Sequence, residues 1–254
     1  MDLHIAGKTA LVTGSNKGTG EIIANQLRAE GVIVIGHSQD TNDKNETCMA
    51  GDIRTEAGTQ AVLDQLAEKN IDVDILINNY GVGEMGSWET STTEDWIQMY
   101  QTNVLGGVRL IQALIPSMEN KQWGRIVQLG TVGSTQPNNI MPHYYASKGA
   151  LATASVSLAK HYAAKGITVN TVSPGLIKTP ELEAMFRKRA SKKGLSENWE
   201  DIEKHITEHD FPNPSGRIAR REEVADMVVF LCSPRAAHIN GQNIRIDGGA
   251  VGVV

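Results

Sequence analysis

Short runs of apolar residues alternate along the chain with longer segments whose apolar residues recur at helical spacing. The short runs are rich in β-branched residues and lack strict polar alternation, which is typical of parallel strands covered on both faces. Segments such as EIIANQLRAEG and GGVRLIQALIPSM predict the intervening helices. We predict strands at Thr9–Thr13, Val32–Gly36, Asp74–Asn78, Arg125–Leu129, Thr168–Val172 and Asn243–Ile246, with a weaker candidate at Cys48–Asp52.

This alternation predicts the fold class. Strand and helix in turn are typical of right-handed βαβ units, which build one parallel sheet. A chain of 254 residues with no internal repeat or linker suits a single α/β domain over residues 1–254. We therefore predict a Rossmann-type doubly wound parallel sheet of about seven strands, with helices on both faces.

Residues 180–214 break this rhythm. The segment is charged and interrupted, and apolar residues such as Leu182, Phe186, Trp199 and Ile202 are scattered among the charges. That pattern predicts two amphipathic helices lying over another part of the molecule. They form either a solvated surface insertion or a cover for a substrate.

Composition narrows the class of protein. A formal net charge of −5 disfavours a nucleic acid or an anionic membrane as partner. Two cysteines cannot form a disulfide framework, and Cys232 lies in an apolar run typical of a buried thiol. The first residues lack the basic and apolar regions of a signal peptide, and no apolar stretch is long enough to span a bilayer. We expect a soluble cytoplasmic protein without a metal site.

A glycine-rich turn follows the first strand. In TGSNKGTG, Gly14, Gly18 and Gly20 would permit a tight turn and let backbone N–H groups approach a pyrophosphate at a helix start. Many such turns bind nothing, and the spacing differs from the G-x-G-x-x-G dinucleotide fingerprint. The turn alone leaves both interpretations open.

The stretch HYYASK carries the candidate chemistry. Tyr144 and Tyr145 stand four and three residues before Lys148, so in a helix both share a face with the lysine. A free tyrosine has a pKa of about 10, and a neighbouring ammonium lowers that pKa toward the working range of a general acid. Geometry alone does not choose between the two tyrosines.

The order of motifs resembles the classical subfamily of short-chain dehydrogenases/reductases. The matching pieces run over essentially the whole chain: TGSNKGTG, ILINNYG, QTNV, IVQLGTVG, YYASK, SPGLIKT and GQNIRIDGG. Each piece is weakly specific, but the sequence of all of them at suitable separations is strong. The resemblance implies the fold predicted above and a reaction between a nicotinamide cofactor and a carbonyl or alcohol.

The resemblance also selects catalytic residues. It assigns Tyr144 as general acid/base with Lys148 four residues on, leaving Tyr145 to line the pocket or pack. The family's serine, thirteen residues before its tyrosine, corresponds to Thr131, with Ser134 as the fallback. Threonine keeps the hydroxyl but adds a methyl group, so we expect a narrower pocket. Asn103 would support a water that relays protons to Lys148.

Cofactor contacts follow from the same resemblance. Lys17 in the glycine turn, and His37 and Ser38 in place of an acid after the second strand, favour NADP(H), whereas Asp40 leaves NAD(H) possible. Tyr80 departs from the family's alanine, and its ring points outward or walls the site. The expected cofactor contacts are Gly14, Ser15, Asn16, Lys17, Gly18, Thr19, Gly20, His37, Ser38, Asp52, Ile53, Asn79, Gly81, Tyr144, Lys148, Pro174, Gly175, Ile177 and Thr179.

The resemblance implies a carbonyl reductase or alcohol dehydrogenase that uses NADP(H), with a homotetramer or homodimer as its assembly. The insertion at 180–214 would cover a hydrophobic or mixed substrate larger than a simple ketone. The alternatives are an NAD-dependent relative acting on a hydroxy or sugar-like substrate and a cofactor sensor without catalysis. Halohydrin dehalogenases, a lyase class on the same fold, fit less well because this chain keeps the glycine turn and Lys148.

Overall fold

The computed structural model describes residues 1–39 and 47–252, and within them seven strands form one parallel sheet. Neighbouring strands follow the order β3-β2-β1-β4-β5-β6-β7, and every pair is parallel. The strands are β1 (Thr9–Thr13), β2 (Ile33–Ser38), β3 (Cys48–Ala50), β4 (Ile75–Asn78), β5 (Gly124–Leu129), β6 (Ile167–Pro174) and β7 (Asn243–Ile246). The predicted doubly wound sheet is confirmed.

Helices cover both faces of the sheet. They are α1 (Gly18–Ala29), α2 (Glu56–Glu68), α3 (Thr93–Tyr100), α4 (Gly106–Asn120), α5 (Pro142–His161), α6 (Pro180–Lys192), α7 (Trp199–His205) and α8 (Arg221–Leu231). One hydrophobic core lies under α1 and α8, and a second lies under α2, α4 and α5. None of the helices in the described ranges is both long enough and apolar enough to cross a bilayer.

Strand β1 shows why the sheet is buried on both sides. Ala10 and Val12 belong to the core under α1 and α8, while Leu11 between them belongs to the core under α2 and α4. Successive side chains of a strand point to opposite faces, so a continuous apolar run supplies both cores at once.

The observed strand ends differ from the predicted ones where polar residues lie inside the sheet. Strand β2 continues through His37 and Ser38, which the hydrophobic pattern placed after its end, and β6 continues to Pro174. Hydrogen bonding to neighbouring strands extends these runs beyond their apolar part. The weak candidate at Cys48–Asp52 is a strand, but it ends at Ala50.

Strand order reverses between β1 and β4, and this reversal indicates where a ligand would bind. From β1 the chain moves outward to β2 and β3, whereas β4 lies on the other side of β1 and leads to β5, β6 and β7. The loops at the carboxyl ends of β1 and β4 therefore diverge and leave a crevice between them, where ligands bind in open α/β sheets.

The buried face of α4 gives a test of the packing. Leu110 is fully buried in the core between α4 and the sheet. We expect Leu110→Ala to lower the melting temperature by roughly 6–12 °C, because a buried leucine-to-alanine change costs about 3 kcal/mol. Leu195→Ala is the matched control, since 52% of that side chain is exposed. Equal shifts in thermal melts of the two variants would contradict this packing.

Candidate active site

The glycine-rich turn between β1 and α1 is held by close packing and by side chains from β4. Gly14 and Gly18 have φ of +63° and +64°, a region that favours glycine. A Cβ atom on Gly20 would collide with the Gly14 carbonyl and the Asn79 amide. Asn79 Nδ2 donates to the carbonyls of Thr13 at 2.9 Å and Gly14 at 3.1 Å. The start of α1 is therefore fixed beside the end of β4.

A large groove opens in front of this turn. Its volume is about 730 Å³, and the residues that line its described part are Gly14, Asn16, Lys17, Gly18, Thr19, Gly20, Ser38, Gln39, Asn79, Tyr80, Gly81 and Val82. A second cleft of about 210 Å³ shares Thr19, Asn79, Gly81 and Val82 with it. The remaining residues of this second cleft are Gly83, Leu129, Gly130, Thr131, Tyr144, Lys148, Pro174, Gly175 and Ile177.

His37 supports the glycine turn from below. Its ring is fully buried, with Nδ1 3.3 Å from the Gly14 N–H and Nε2 2.9 Å from the Gly51 carbonyl. Only the neutral tautomer with the proton on Nε2 satisfies both contacts, and burial lowers the pKa of His37 accordingly. The structure thus keeps His37 out of the groove, where we expected it to contact cofactor, because β2 continues past the predicted end.

Four more of the expected cofactor contacts, Ser15, Asp52, Ile53 and Thr179, line neither the groove nor the smaller cleft. Ser15 also lies outside the groove lining, since its hydroxyl accepts from the His37 N–H at 3.0 Å. Ile53 is buried in the core, and Thr179 accepts from the Leu182 N–H at the start of α6. Asp52 is paired with Arg54, Nη2 to Oδ2 at 2.8 Å. Asp40, the residue that left NAD(H) open, lies outside the described residues.

The two adjacent tyrosines point in different directions. Tyr144 lines the smaller cleft. The ring of Tyr145 lies so close to Gly133 that a Cβ atom there would collide with it, and Asn138 Nδ2 donates to its hydroxyl at 3.1 Å. Tyr145 therefore packs against the loop after β5, while Tyr144 faces the space where a substrate would bind.

Thr131 lies beside the Tyr144 phenol at the end of β5. Its Oγ1 accepts from the Gly133 N–H at 3.3 Å, and both Thr131 and Tyr144 line the smaller cleft. Burial raises the pKa of Tyr144, and the neighbouring Thr131 hydroxyl opposes that rise. Ser134, the fallback, donates instead to the Thr131 carbonyl at 2.7 Å. The loop hydroxyl thus satisfies the backbone.

Lys148 lines the smaller cleft but is largely buried. Its Nζ donates to the Leu129 carbonyl at 2.8 Å, and only 5% of the residue is exposed. Burial disfavours the ammonium and lowers the pKa of Lys148 to about 8. A Cβ atom on Gly81 would come within 2.8 Å of Nζ. Glycine at this position therefore leaves room for the lysine head.

Asn103 connects the loop after β4 to α5. It lies in a π-helical turn, Gln101–Leu105, that joins α3 to α4. Its Oδ1 accepts from the Val82 N–H at 2.9 Å, and its Nδ2 donates to the Val82 carbonyl at 3.0 Å and to Ser147 Oγ at 3.1 Å. The amide is fully engaged with protein atoms, so any part of Asn103 in proton transfer remains a prediction.

Sequence reasoning missed five lining residues, Gln39, Val82, Gly83, Leu129 and Gly130. Leu129 contributes through its backbone carbonyl, which no side-chain motif reveals. Gln39 follows directly on β2 and lines the larger groove, one residue past the serine that we considered. Val82 follows the NNYG motif and lines both clefts. The only available signal was adjacency to a predicted strand end.

Comparisons with known proteins find reductases and other oxidoreductases. A family model described as enoyl-(acyl carrier protein) reductase matches residues 14–251. The uncharacterized oxidoreductase YvaG of Bacillus subtilis is 32% identical over 99% of this chain and 98% of its own. The 3-oxoacyl-[acyl-carrier-protein] reductase FabG of Haemophilus influenzae is 33% identical over 96% and 98%. The structure of L-sorbose reductase from Gluconobacter frateurii, complexed with NADPH and L-sorbose, superposes with a TM-score of 0.91 at 30% identity over 100% of both chains.

Burial of Lys148 should reduce the stability of the fold near neutral pH. Its pKa is about 8 in the folded protein against 10.5 in the unfolded reference, so the penalty is complete below pH 8 and fades as the pH rises toward 10.5. We expect Lys148→Met to raise the free energy of unfolding at pH 7 by about 1–2 kcal/mol, after loss of the Leu129 bond. The gain should shrink at pH 10.

Lys160→Met is the matched control for this measurement, because Lys160 lies on the same helix and is exposed. Chemical unfolding of wild type and both variants at pH 7 and pH 10 provides the readout. A Lys148→Met protein that is less stable than wild type at pH 7 would contradict a lowered pKa of Lys148.

Proposed function

The chain belongs to the short-chain dehydrogenase/reductase family, and on that premise we propose that it reduces a ketone to a secondary alcohol with NADP(H). The observation that carries the proposal is that Tyr144, Thr131 and the largely buried Lys148 line the same small cleft. A donor, a second hydroxyl and a cation thus surround one small space.

The residues present fit a dinucleotide. The groove and the smaller cleft are continuous through Thr19, Asn79, Gly81 and Val82, so one extended ligand could occupy both. Glycines at 14 and 18 let the backbone approach a pyrophosphate at the start of α1. Lys17 and Asn16 would face its phosphate-bearing half, and Pro174, Gly175 and Ile177 its nicotinamide half.

Side chains of this protein protonate and hydrogen-bond the carbonyl oxygen of the substrate. When bound, the reduced nicotinamide supplies a hydride to the carbonyl carbon. Tyr144 gives its phenolic proton to the carbonyl oxygen, and the Thr131 hydroxyl donates a hydrogen bond to the same oxygen as negative charge develops there. Lys148 Nζ holds the proton that restores Tyr144 after each turnover. In the oxidation direction the same groups act in reverse.

A lowered pKa suits Lys148 to this part. An ammonium with its ordinary pKa of 10.5 would hold its proton too tightly to pass it on near neutral pH, whereas a pKa of about 8 brings the proton into the exchangeable range. The buried carbonyl of Leu129 orients the ammonium while Gly81 leaves its other side open. Asn103, by fixing Val82 beside this space, would order a water that links Lys148 to bulk solvent.

NADP(H) is favoured over NAD(H) by the described end of the groove. The lining residues there are Lys17, Asn16, Ser38 and Gln39, and none of these four is acidic. An acid at this place would accept hydrogen bonds from a ribose 2′-hydroxyl and repel a 2′-phosphate. The similar sorbose reductase was solved with NADPH, which agrees with this preference.

The relatives and the insertion at residues 180–214 narrow the class of substrate to be tested. The comparisons include a 3-oxoacyl-[acyl-carrier-protein] reductase and an L-sorbose reductase, so thioester and sugar ketones both belong in a test panel. Helices α6 and α7 form a small core of their own around Phe186, Trp199 and Ile206. Phe211, which packs against Gly175 of the smaller cleft, joins that core to the site. We assign this insertion the role of substrate cover.

Assembly and location complete the proposal. We place the enzyme in the cytoplasm as a homotetramer or homodimer. The alanines and serines of α5 support the assembly, because small residues allow two helices from different subunits to approach closely.

Paired tyrosine variants test the function. With NADPH and a panel of L-sorbose, 3-oxoacyl thioesters and simple ketones, we expect wild type to oxidise the cofactor as its absorbance is followed. Tyr144→Phe should lose at least about 100-fold in kcat, the usual contribution of a general acid. Tyr145→Phe is the matched control, since it removes a neighbouring phenolic hydroxyl that accepts from Asn138 and does not line the cleft. Loss of activity in Tyr145→Phe with Tyr144→Phe unaffected would overturn the assignment.

A further inference from the structure

Four polar side chains form a connected cluster, the polar wall, of which two line the groove and two lie directly behind them. They come from the ends of β2, β3 and β4 and are Gln39, Asp52, Arg54 and Tyr80. Gln39 and Tyr80 line the groove itself. The Gln39 amide bridges its neighbours, with its nitrogen 2.7 Å from the Tyr80 hydroxyl and its oxygen 2.6 Å from Arg54 Nη2. A contact with one residue of this wall is therefore transmitted to the others.

Only part of the Arg54 guanidinium is hydrogen-bonded to the described residues. Its Nε and Nη2 bind the Asp52 carboxylate at 2.9 and 2.8 Å and also point at the Gln39 oxygen. Its Nη1, with two N–H groups, has no hydrogen-bond partner among residues 1–39 and 47–252. The side chain is 40% exposed. The guanidinium is thus anchored on one edge and open on the other, a geometry suited to binding an anion.

Without Arg54, the negative charge of Asp52 would repel a phosphate group bound nearby. The Arg54 hydrogen bond is the main cause that lowers the pKa of Asp52, which keeps the carboxylate ionised. Its negative charge lies close to the groove residue Gln39, which also contributes a hydrogen bond. Arg54 neutralises that charge and places its own cation next to Gln39, where an acid would otherwise select against a 2′-phosphate.

Tyr80 explains how the wall is held in place. Its backbone N–H donates to Thr13 Oγ1 at 2.9 Å, and its ring meets the buried His37 ring edge-on with centroids 6.0 Å apart. The phenol therefore reaches Gln39 from a fixed base beside the glycine turn. An alanine at 80 would leave the Gln39 amide, and through it Arg54, without this support.

We propose that Arg54 is a specificity-determining residue that selects a cofactor bearing a 2′-phosphate, and that Tyr80 and Gln39 are positioning residues for its guanidinium. The inference rests on the proposed function and deepens it. Lys17 lines the same groove as Gln39, the hydrogen-bond partner of Arg54. A phosphate bound there would meet the Lys17 ammonium as well as the open edge of Arg54.

Cofactor titrations without substrate test this assignment. Dissociation constants of NADPH and NADH are measured by calorimetry or nucleotide fluorescence for wild type, Arg54→Ala, Tyr80→Phe and Arg28→Ala. Arg28 is the matched control, because it is an exposed arginine in the last turn of α1, away from the groove. Thermal melts of each variant establish that the proteins are folded.

We expect Arg54→Ala to weaken NADPH binding about ten-fold or more, since a charge-assisted hydrogen bond is lost, while NADH binding changes less than about two-fold. Tyr80→Phe should shift the NADPH-to-NADH ratio in the same direction by a smaller factor, and Arg28→Ala should leave it unchanged. A folded Arg54→Ala protein with the wild-type ratio would overturn the assignment while leaving the reductase proposal intact. A wild type that binds NADH more tightly would overturn the NADP(H) proposal and this inference together.

Discussion

The buried ammonium of Lys148 is the constraint on which the site depends. A cation this far from water requires an acceptor and an approach free of side chains, and the Leu129 carbonyl and Gly81 meet those two needs. Leu129 is the last residue of β5, and Gly81 follows β4, its neighbour in the sheet. The strand ends, the glycine and the lysine of α5 therefore have to be positioned together.

The rest of the architecture meets this requirement through the end of the parallel sheet. The carboxyl ends of β1, β4, β5 and β6 lie side by side and deliver the glycine turn, Asn79, Thr131 and Pro174 to one continuous groove. Asn79 ties β4 to the turn, and Asn103 ties the loop after β4 to α5 through Ser147. These amides convert the diverging loops at the reversal of strand order into a fixed site.

Much of this could be predicted from the sequence because it depends on local spacing. The apolar runs indicated the order of strands and helices, and the resemblance to the short-chain dehydrogenases/reductases selected Tyr144, the tyrosine that lines the cleft. His37 and Arg54 could not be assigned in this way. The partner of the His37 ring, Gly51, reaches it only through the pairing of β2 with β3. The contact of Arg54 with Gln39 likewise joins loops from two strands, and no interval along the chain encodes it.

In the proposed mechanism, burial turns Lys148 into a proton store for Tyr144 near neutral pH. An NMR titration of the lysine side chains, with Lys148→Met used to assign the resonance, measures that proton directly. The account predicts a midpoint for Lys148 near the pKa of about 8, well below the reference value of 10.5. A Lys148 resonance whose midpoint lies at the reference value of 10.5 would contradict the proposed role of this residue.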